Sequence, residues 1–270
     1  MNLHVPPHMP SLPGPARGAF TLVELLVVVS IIALLLGLVV PAFNSVKGGR
    51  DVTGAAYSLM GQLETARNYA ISNHTYTWVG FYEQAYSSAA TPTPAPTPPY
   101  SGVGHVTIGI VYSRDGTRLV DDAKMTKETL PAAKLGQVGN IVHLYGVHLR
   151  ALDKPGSSNS TDPVKASTLQ GRPYQTDLAD LDPAALKQTL IDSGSEEATT
   201  RPFVAQGYTF YKTIRFNPRG EAHVNSTLAC TRIIEIGLQP TRGGVRDDTA
   251  ARFLAVQQAG IGGGVNIYRP

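Results

Sequence analysis

A continuous apolar block near the start of the chain limits what this protein can fold into. Residues Phe20 to Phe43 read FTLVELLVVVSIIALLLGLVVPAF, and the clearly polar members are Thr21, Glu24 and Ser30. As an α-helix, a block of this length extends for roughly 36 Å, and the hydrocarbon core of a bilayer is about 30 Å thick. A helix buried in a soluble core would keep a polar stripe. The block therefore predicts a membrane-embedded helix.

Three interpretations of the block differ in whether it is removed and in what Glu24 does. A cleaved secretory signal peptide has a shorter apolar region of about 7–15 residues and ends in a small-residue site of the A-x-A type, whereas this block ends in VPAF at residues 40–43. A plain signal anchor explains the length but not Glu24, because an ionisable side chain inside a span costs about 2.5–3.5 kcal/mol or more unless it is paired. The third interpretation makes Glu24 the functional residue of the block.

The residues around Glu24 carry a family resemblance. The segment from Gly18 to Val28, GAFTLVELLVV, closely resembles the processing and methylation motif of type IV prepilins and type II secretion pseudopilins. In that family a cytoplasmic leader is cut just before the apolar helix, the new N-terminal residue, commonly Phe, is N-methylated, and a glutamate occupies the fifth mature position. The resemblance implies a cut after Ala19, with Phe20 as the methylated residue.

The residue before the implied cut departs from the family pattern. The family usually has Gly there, and in this chain Gly18 lies one position earlier. A cut after Gly18 would leave Glu24 at the sixth position with Ala19 leading, so the bond between Ala19 and Phe20 fits both the register and the residue type. Pro41 then falls at mature position 22 (41 minus 19), where the family often carries a proline. We expect Pro41 to kink or loosen the helix without necessarily ending it.

The resemblance also implies a charge-pairing role for Glu24. A carboxylate in lipid needs a cationic partner, and the cut would expose the α-amino group of Phe20 at the membrane surface. In the family, pairing between this amine and the glutamate of a neighbouring subunit is thought to help set the register of the filament. The alternative is a glutamate tolerated in the membrane interface, near the cytoplasmic end of the span.

The segments that flank the block complete a four-part division of the chain. Residues 1–19 hold five prolines and one charge, Arg17, and predict an unstructured leader that is cleaved. Residues 20–43 form the transmembrane or filament-core helix, residues 44–73 its amphipathic half with a stop at Asn73-His74, and residues 74–270 a β-rich head. The amphipathic half is predicted from apolar residues at three- and four-residue steps. They are Val52, Ala56, Leu59, Leu63, Ala66 and Ala70, with Met60 and Ile71 beside them.

The head is predicted to be an antiparallel β-sheet with two insertions. The first insertion, at about 85–102, contains ATPTPAPTPPY, and the second, at about 153–202, is polar and turn-rich with a short helical candidate at 183–191. Strand-forming composition and turn signals predict strands at 76–82, 106–112, 118–120, 141–149, 211–216, 221–224, 231–239 and 265–268. The fold class is therefore α+β and pilin-like, with the long N-terminal helix packed on the sheet.

A second, shorter resemblance lies in the head. The segment Phe216–Gly220, FNPRG, looks like the strand–turn segment that is typical of H-type minor pseudopilins and precedes their final hairpins. It follows the N-terminal motif in the order that the family shows. The two segments together make the chain most like an H-type minor pseudopilin.

Composition and spacing give no sign of nucleic-acid binding or of a zinc site. A net charge of +3 with 16% charged residues lacks the clustered basic face of a nucleic-acid-binding protein. The single cysteine, Cys230, excludes an intrachain disulfide and a Cys-rich zinc site, and the former also argues against a major pilin whose C-terminal loop is closed by a disulfide. His143 and His148, five residues apart, are predicted on opposite faces of a strand. We expect no cofactor and no metal ligand among these residues.

Two further patterns have simple interpretations. The glycine-rich run at 260–264 (GIGGG) is predicted to be a turn rather than a nucleotide loop, because a helix does not follow it. The acidic pairs Asp121-Asp122 and Asp247-Asp248 could bind calcium, but they lack an EF-type loop.

The resemblance implies a structural subunit that works by assembly and not by catalysis. Its partners would be the prepilin peptidase that cuts and methylates it, other pseudopilins or pilins, an inner-membrane assembly platform and membrane lipid, with no nucleic acid. It would cross the bacterial inner membrane once, with the leader in the cytoplasm and the head in the periplasm. The alternatives are a minor subunit of a type IV pilus or another membrane-anchored adhesive or binding head, and an anchored periplasmic enzyme, which would need a clustered polar site.

Overall fold

The computed structural model describes residues 22–85, 103–119, 129–150, 169, 190–191, 201–224, 233–247 and 253–269, and within them the side chains outside 37–51, 85 and 190–191. The predicted leader, Cys230, Asp121-Asp122 and most of both insertions lie outside the described residues. The chain divides into two compact units, Met1–Ser45 and Val46–Pro270. Among the described residues, no helix combines the length and the apolar character that crossing a membrane requires.

One long helix, α1, runs from Leu22 to Ser72, close to the predicted limits. The backbone at Pro41 is helical. After Ser72 the backbone amide and the side-chain amide of Asn73 both donate to the carbonyl of Tyr69, at 3.0 and 3.1 Å. His74 then adopts a φ of 48°, outside the helical range. The predicted stop at Asn73-His74 is confirmed.

The described part of the head is built mainly from strands, and most of the predicted strand ranges overlap an observed strand. The strands are β1 Thr77–Ala85, β2 Gly104–Ser113, β3 Leu135–Gln137, β4 Val142–Arg150, β5 Leu190–Ile191, β6 Phe203–Ala205, β7 Tyr208–Phe210, β8 Lys212–Phe216, β9 Ala222–His223, β10 Ile233–Arg242, β11 Val245–Arg246, β12 Leu254–Ala259 and β13 Val265–Tyr268. The main sheet has the order β13-β12-β10-β4-β2-β1-β8-β9, and β6 and β7 form a separate hairpin. Every strand pair on this path is antiparallel, whereas the short β5 pairs in parallel with β10. The predicted α+β class, a helix with a large antiparallel sheet, is confirmed.

The head half of α1 packs on one face of this sheet. Leu59, Leu63 and Ala66 have no exposed surface, and the other predicted stripe residues, Val52, Ala56 and Ala70, are also buried. They form one apolar cluster with side chains from seven strands, β1, β2, β4, β8, β9, β10 and β12. Full burial of one such leucine contributes about 1.5–3 kcal/mol, so the predicted stripe anchors the helix to the sheet.

The sheet curls around the helix until its two ends meet. β9 lies at one end of the strand order and β12 lies one place from the other end. The backbone N–H of Ala222, in β9, donates to the carbonyl of Gly260, directly after β12, at 3.0 Å. This contact satisfies a backbone donor on a strand that would otherwise end the sheet.

The opposite face of the sheet is covered by the β6–β7 hairpin. Phe203 and Phe210 are fully buried and stacked, with ring centroids 4.9 Å apart. They lie over Gly80 and Gly109, which are directly paired across β1 and β2. A Cβ atom at Gly109 would be 2.8 Å from Cζ of Phe210, and one at Gly80 would overlap both rings. The two glycines therefore leave the space that the aromatic rings occupy.

A polar turn follows β2, as predicted. The carboxylate of Asp115 accepts hydrogen bonds from the hydroxyls of Thr117 and Ser113 and lies 3.3 Å from Nζ of Lys134. These donors, that of Thr117 foremost, hold the pKa of Asp115 well below its usual range. The predicted return strand at 118–120 is wrong for its two described residues, because Leu119 has a φ of 59° and neither is in a strand. β3 pairs with β2 instead.

Two further predictions need correction. Leu190 and Ile191, at the end of the helical candidate, form β5 and are not helical. The alternation of β4 is broken at Gly146, which has a φ of 73° beside a register shift. Leu144 and, after the shift, Val147 and Leu149 all face the same apolar cluster. His143 and His148 are therefore both out of phase with the core-facing residues, and the prediction of opposite faces is wrong.

Candidate functional site

The first unit presents an apolar helical surface. From Leu22 to Leu36, twelve large aliphatic side chains are exposed, between 47% for Val28 and 78% for Leu22. They surround the helix and leave no polar stripe, a pattern typical of a helix that is buried by lipid or by other helices. Ser30 fits this surface, because its hydroxyl donates to the carbonyl of Leu26 at 2.8 Å and so has a partner within the helix.

Glu24 is the one ionisable residue on this apolar surface between Leu22 and Leu36. It lies in the first turn of α1 and is exposed. A carboxylate is favoured there because the free N–H groups of the first turn carry partial positive charge. Of the other predicted site residues, Gly18, Ala19 and Phe20 lie outside the described residues, as does the side chain of Pro41.

In the second unit, Arg67 joins α1 to two turns of the head. Its Nε donates to the carbonyl of Gly220 at 3.2 Å, and its Nη2 donates to the carbonyl of Gly262 at 3.1 Å. We call these three residues the Arg67 clasp. The first turn connects β8 to β9 and the second connects β12 to β13, so the clasp holds the two ends of the sheet on the helix.

Glycine is required at the clasp for both space and conformation. Gly220, Gly262 and Gly263 have φ values of 79°, 84° and 71°, in the left-handed region. A Cβ atom at Gly220 would lie 2.6 Å from Cδ1 of Ile71, and one at Gly263 would overlap the guanidinium of Arg67. The run at 260–264 is therefore a turn, as predicted, with a specific role in binding Arg67.

The turn at 217–220 is stabilised from within by Asn217. Its Oδ1 accepts hydrogen bonds from the backbone N–H groups of Arg219 and Glu221, at 2.9 and 3.0 Å, and its Nδ2 donates to the Glu221 carboxylate. This is the arrangement by which an asparagine mimics a backbone turn. The FNPRG segment thus positions Gly220 for Arg67.

A buried contact between a histidine and a carboxylate lies where β2 begins. The carboxylate of Glu83 is 2.8 Å from Nδ1 of His148, and both side chains are almost fully buried. The same carboxylate accepts the backbone N–H groups of Gly104 and Leu149, at 3.4 and 3.3 Å. β2 begins at Gly104, so it offers no backbone carbonyl to the N–H of Leu149 in β4. The carboxylate of Glu83 accepts that hydrogen bond instead.

A histidine and aromatic cluster lies on the face opposite α1. Nε2 of His105, which is fully buried, lies 3.2 Å from Nδ1 of His143, and Thr107 Oγ1 lies 3.1 Å from the same nitrogen. The Tyr145 ring stacks on the His105 ring at 4.3 Å, and the Tyr208 ring lies 6.1 Å from that of His143. Burial lowers the pKa of His143.

Comparison with known protein families gives a match at the apolar segment. Residues 15–40 match the family described as the prokaryotic N-terminal methylation motif. The match supports the predicted resemblance to type IV pilins and pseudopilins, whereas the H-type subtype stays a prediction. Neither the characterised proteins nor the solved structures gave a significant match.

The Arg67 clasp and the histidine cluster were missed by the sequence analysis. Nothing in the sequence around Arg67 distinguishes it from other polar residues of the helix, and its partners are 153 and 195 residues away. The sequence signal for the clasp is the presence of glycines in two separate turns. Such glycines indicate that another group packs closely against the turn, but they do not identify that group. His105 and His143 are 38 residues apart on adjacent strands, and only the register of β2 with β4 brings them together.

Proposed function

We propose that this chain is a minor pseudopilin of a type II secretion pseudopilus, a structural subunit that works by assembly. The observation that carries the proposal is the methylation motif at residues 15–40, with Glu24 in the first turn of an exposed apolar helix. An α+β head in which a sheet packs on the continuing helix supports it. Pilin-like proteins of this kind are typically not enzymes.

Processing at the Ala19–Phe20 bond would create the functional N-terminus. Under this proposal a prepilin peptidase removes residues 1–19 and methylates the amine of Phe20. The division of the mature chain is then the predicted one: a membrane or filament-core helix at 20–43 that Pro41 loosens, an amphipathic half at 44–73, and the head at 74–270. Gly18 would lie two residues before the cut.

Glu24 would pair with the α-amino group of Phe20 in a neighbouring subunit. In lipid, a carboxylate among aliphatic side chains such as those of Leu22–Leu36 costs about 2.5–3.5 kcal/mol unless it is paired. Relief of that cost on pairing corresponds to up to roughly 70- to 400-fold in an incorporation equilibrium. The charge of Glu24 thus favours the register between neighbouring subunits in which the α-amino group of Phe20 lies beside it.

The location and partners follow from the same proposal. The chain would be anchored in the bacterial inner membrane, with the leader in the cytoplasm and the head in the periplasm. Its partners would be other pseudopilins, an assembly platform and membrane lipid. The FNPRG turn favours the H-type subtype, and its contact with Arg67 gives that segment a physical role. A minor subunit of a type IV pilus, or another anchored adhesive head, is the alternative with the same N-terminal chemistry.

Mass spectrometry of the mature N-terminus tests the processing step. In cells with an active prepilin peptidase, we expect a chain that begins with N-methylated Phe20. The same chain from cells without the peptidase should keep Met1 and serves as the control. A chain that keeps Met1 in both cells would refute the proposal, and a chain that begins at Ala19 would move the cut by one residue.

Variants of Glu24 test the assembly step separately. Glu24→Ala and Glu24→Gln should be cut and methylated normally, but should be depleted from the filament fraction because neither can pair with an amine. Ser30→Ala, which changes a polar side chain on the same helix without changing charge, should assemble normally. Normal incorporation of Glu24→Gln would remove the pairing role from Glu24. Expression beside secretion or pilus components would distinguish the two filament systems.

A further inference from the structure

The inference concerns the protonation of His143 in the head and does not depend on the proposed assembly role. A chain of hydrogen bonds runs from β1 through β2 to β4. The side-chain amide nitrogen of Gln84 lies 2.9 Å from Nδ1 of His105, and Nε2 of His105 lies 3.2 Å from Nδ1 of His143. An amide nitrogen can only donate, so Nδ1 of His105 accepts and the proton of this ring lies on Nε2. His105 therefore donates to Nδ1 of His143.

This chain of hydrogen bonds fits the neutral form of His143 and not its charged form. Only an imidazole that carries its proton on Nε2 has a lone pair on Nδ1 to accept from His105. A second proton, on Nδ1, would point at the Nε2–H of His105. The hydroxyl of Thr107, 3.1 Å from Nδ1, can turn and accept that proton. The Nε2–H of the fully buried His105, however, would lose its acceptor, which is costly away from water.

The groups around His143 do not stabilise a positive charge. Among the described residues, the titratable groups that face its ring are His105 on β2, Tyr145 on β4 and Tyr208 on β7, with ring centroids 5.2, 6.5 and 6.1 Å away. Phenols are uncharged at neutral and mildly acid pH, so none of the three supplies a negative charge. Burial lowers the pKa of His143. The folded head therefore favours the neutral ring, whereas an imidazole in water gains its proton near pH 6.5 (about).

His143 is the member of the chain that can reach water, and its ring supports the β6–β7 hairpin. His143 is half-buried, whereas His105 has no exposed surface, so the charged form is relieved most directly when the His143 ring turns outwards. The ring contacts Tyr208, the first residue of β7, which is 4% exposed and also packs edge-on against Tyr82 at 5.6 Å. Movement of His143 would open one side of Tyr208 to water.

We propose that His143 makes this face of the head acid-sensitive: a proton on its Nδ1 breaks the hydrogen bond with His105, turns the ring towards water and loosens the β6–β7 hairpin at Tyr208. The direction follows from linkage. Because the pKa of His143 is lower in the folded head than in the open state, the closed contact is fully favoured above about pH 6.5 and is lost as the pH falls towards the folded value.

Hydrogen exchange of the full-length chain in mild detergent, at about pH 7.5 and about pH 5 and corrected for the chemical exchange rate, tests the proposal. Amides of the hairpin at 203–210 should exchange about 3- to 30-fold faster at the lower pH, the upper figure being the protonation of a free imidazole. Peptides from β1 and β2 should not respond. His143→Asn places an amide oxygen where Nδ1 accepts but cannot gain a proton, and should abolish the response. His74→Asn is the matched control, because it removes an exposed histidine at a φ of 48° that asparagine tolerates, and should keep the response.

A second measurement on the unaltered chain covers the case in which His143→Asn does not fold. Nitrogen NMR of ¹⁵N-histidine-labelled chain should show both rings protonated on Nε2 at neutral pH. On acidification His143 should become charged while His105 keeps its Nε2 proton. A hairpin that exchanges equally at both pH values, an equal acceleration in a folded His143→Asn, or acceleration of β1 and β2 as well would overturn the proposal. A His105 proton that moves to Nδ1 would also overturn it, because the chain of hydrogen bonds would then reverse without opening.

Discussion

The Arg67 clasp makes a quantitative prediction about coupling between α1 and the end of the sheet. Arg67→Ala removes two hydrogen bonds from a guanidinium to backbone carbonyls, at 3.2 and 3.1 Å. Arg67 is half-buried, so each bond contributes about 1 kcal/mol net. We expect Arg67→Ala to lower the free energy of unfolding by about 2 kcal/mol.

Gly263→Ala should lower the free energy of unfolding by two mechanisms that can be separated. The left-handed φ of 71° costs an alanine about 1–2 kcal/mol. The added Cβ also overlaps the Arg67 guanidinium, so the clasp is lost, with a further cost of about 2 kcal/mol. The total is about 3–4 kcal/mol. In the Arg67→Ala background the second cost has already been incurred, so the double variant should also lose about 3–4 kcal/mol rather than the additive 5–6 kcal/mol.

Urea unfolding of the full-length chain in mild detergent measures these differences. Trp78 is the single tryptophan and is 1% exposed, so its fluorescence reports on the head. Arg269→Ala is the matched control, since its guanidinium contacts Tyr57 on α1 and not the turns. Arg269→Ala should combine additively with Gly263→Ala. If Arg67→Ala and Gly263→Ala were additive within about 0.5 kcal/mol, the reasoning would be refuted.

Three further predictions use the same unfolding assay. Gly109→Ala brings a Cβ atom within 2.8 Å of Phe210 and should lower the free energy of unfolding by about 1–3 kcal/mol; an unchanged midpoint would contradict the close packing. Leu63→Ala should lower it by about 2–5 kcal/mol, while the adjacent exposed Glu64→Ala changes it by less than about 0.5 kcal/mol; equal effects would refute the stripe. Because the pKa of Asp115 is lowered in the folded state, its contribution is present above the unfolded value of about 3.9 and is lost as the pH falls below it. Asp115→Ala should therefore flatten the acid side of the stability profile, and an unchanged slope would show that this carboxylate does not contribute.

The helix and its buried stripe could be predicted because their signals are local. Leu59 and Leu63 are one helical turn apart, so the spacing alone puts them on one face. The N-terminal motif is similarly local: residue order from Gly18 to Glu24 carries the resemblance without any knowledge of the fold. The β8–β9 turn was predicted because Asn217 and Gly220 are typical turn residues.

The parts that were missed depend on distant residues or on misleading composition. β12, LAVQQA at Leu254–Ala259, contains alanine and glutamine, which are poor strand formers, yet it is almost entirely buried between β10 and β13. The turn predicted after β2 is present, but the strand predicted at 118–120 is wrong, because the strand that pairs with the end of β2 is Leu135–Gln137. The prediction of which face each β4 side chain occupies was wrong after Gly146, since one bulge reverses the alternation of all the residues that follow.

The meeting of the two sheet ends at Arg67 has a consequence for the order of folding. Its contacts span 153 and 195 residues of chain, and contacts of such long range form late because large loops must close first. Until then the backbone groups of β9 near Ala222 lack the acceptor that Gly260 provides, and an unpaired strand edge can join the wrong chain. We therefore expect a weakened clasp to leave this strand edge without its partner more often, even where the finished head retains most of its stability.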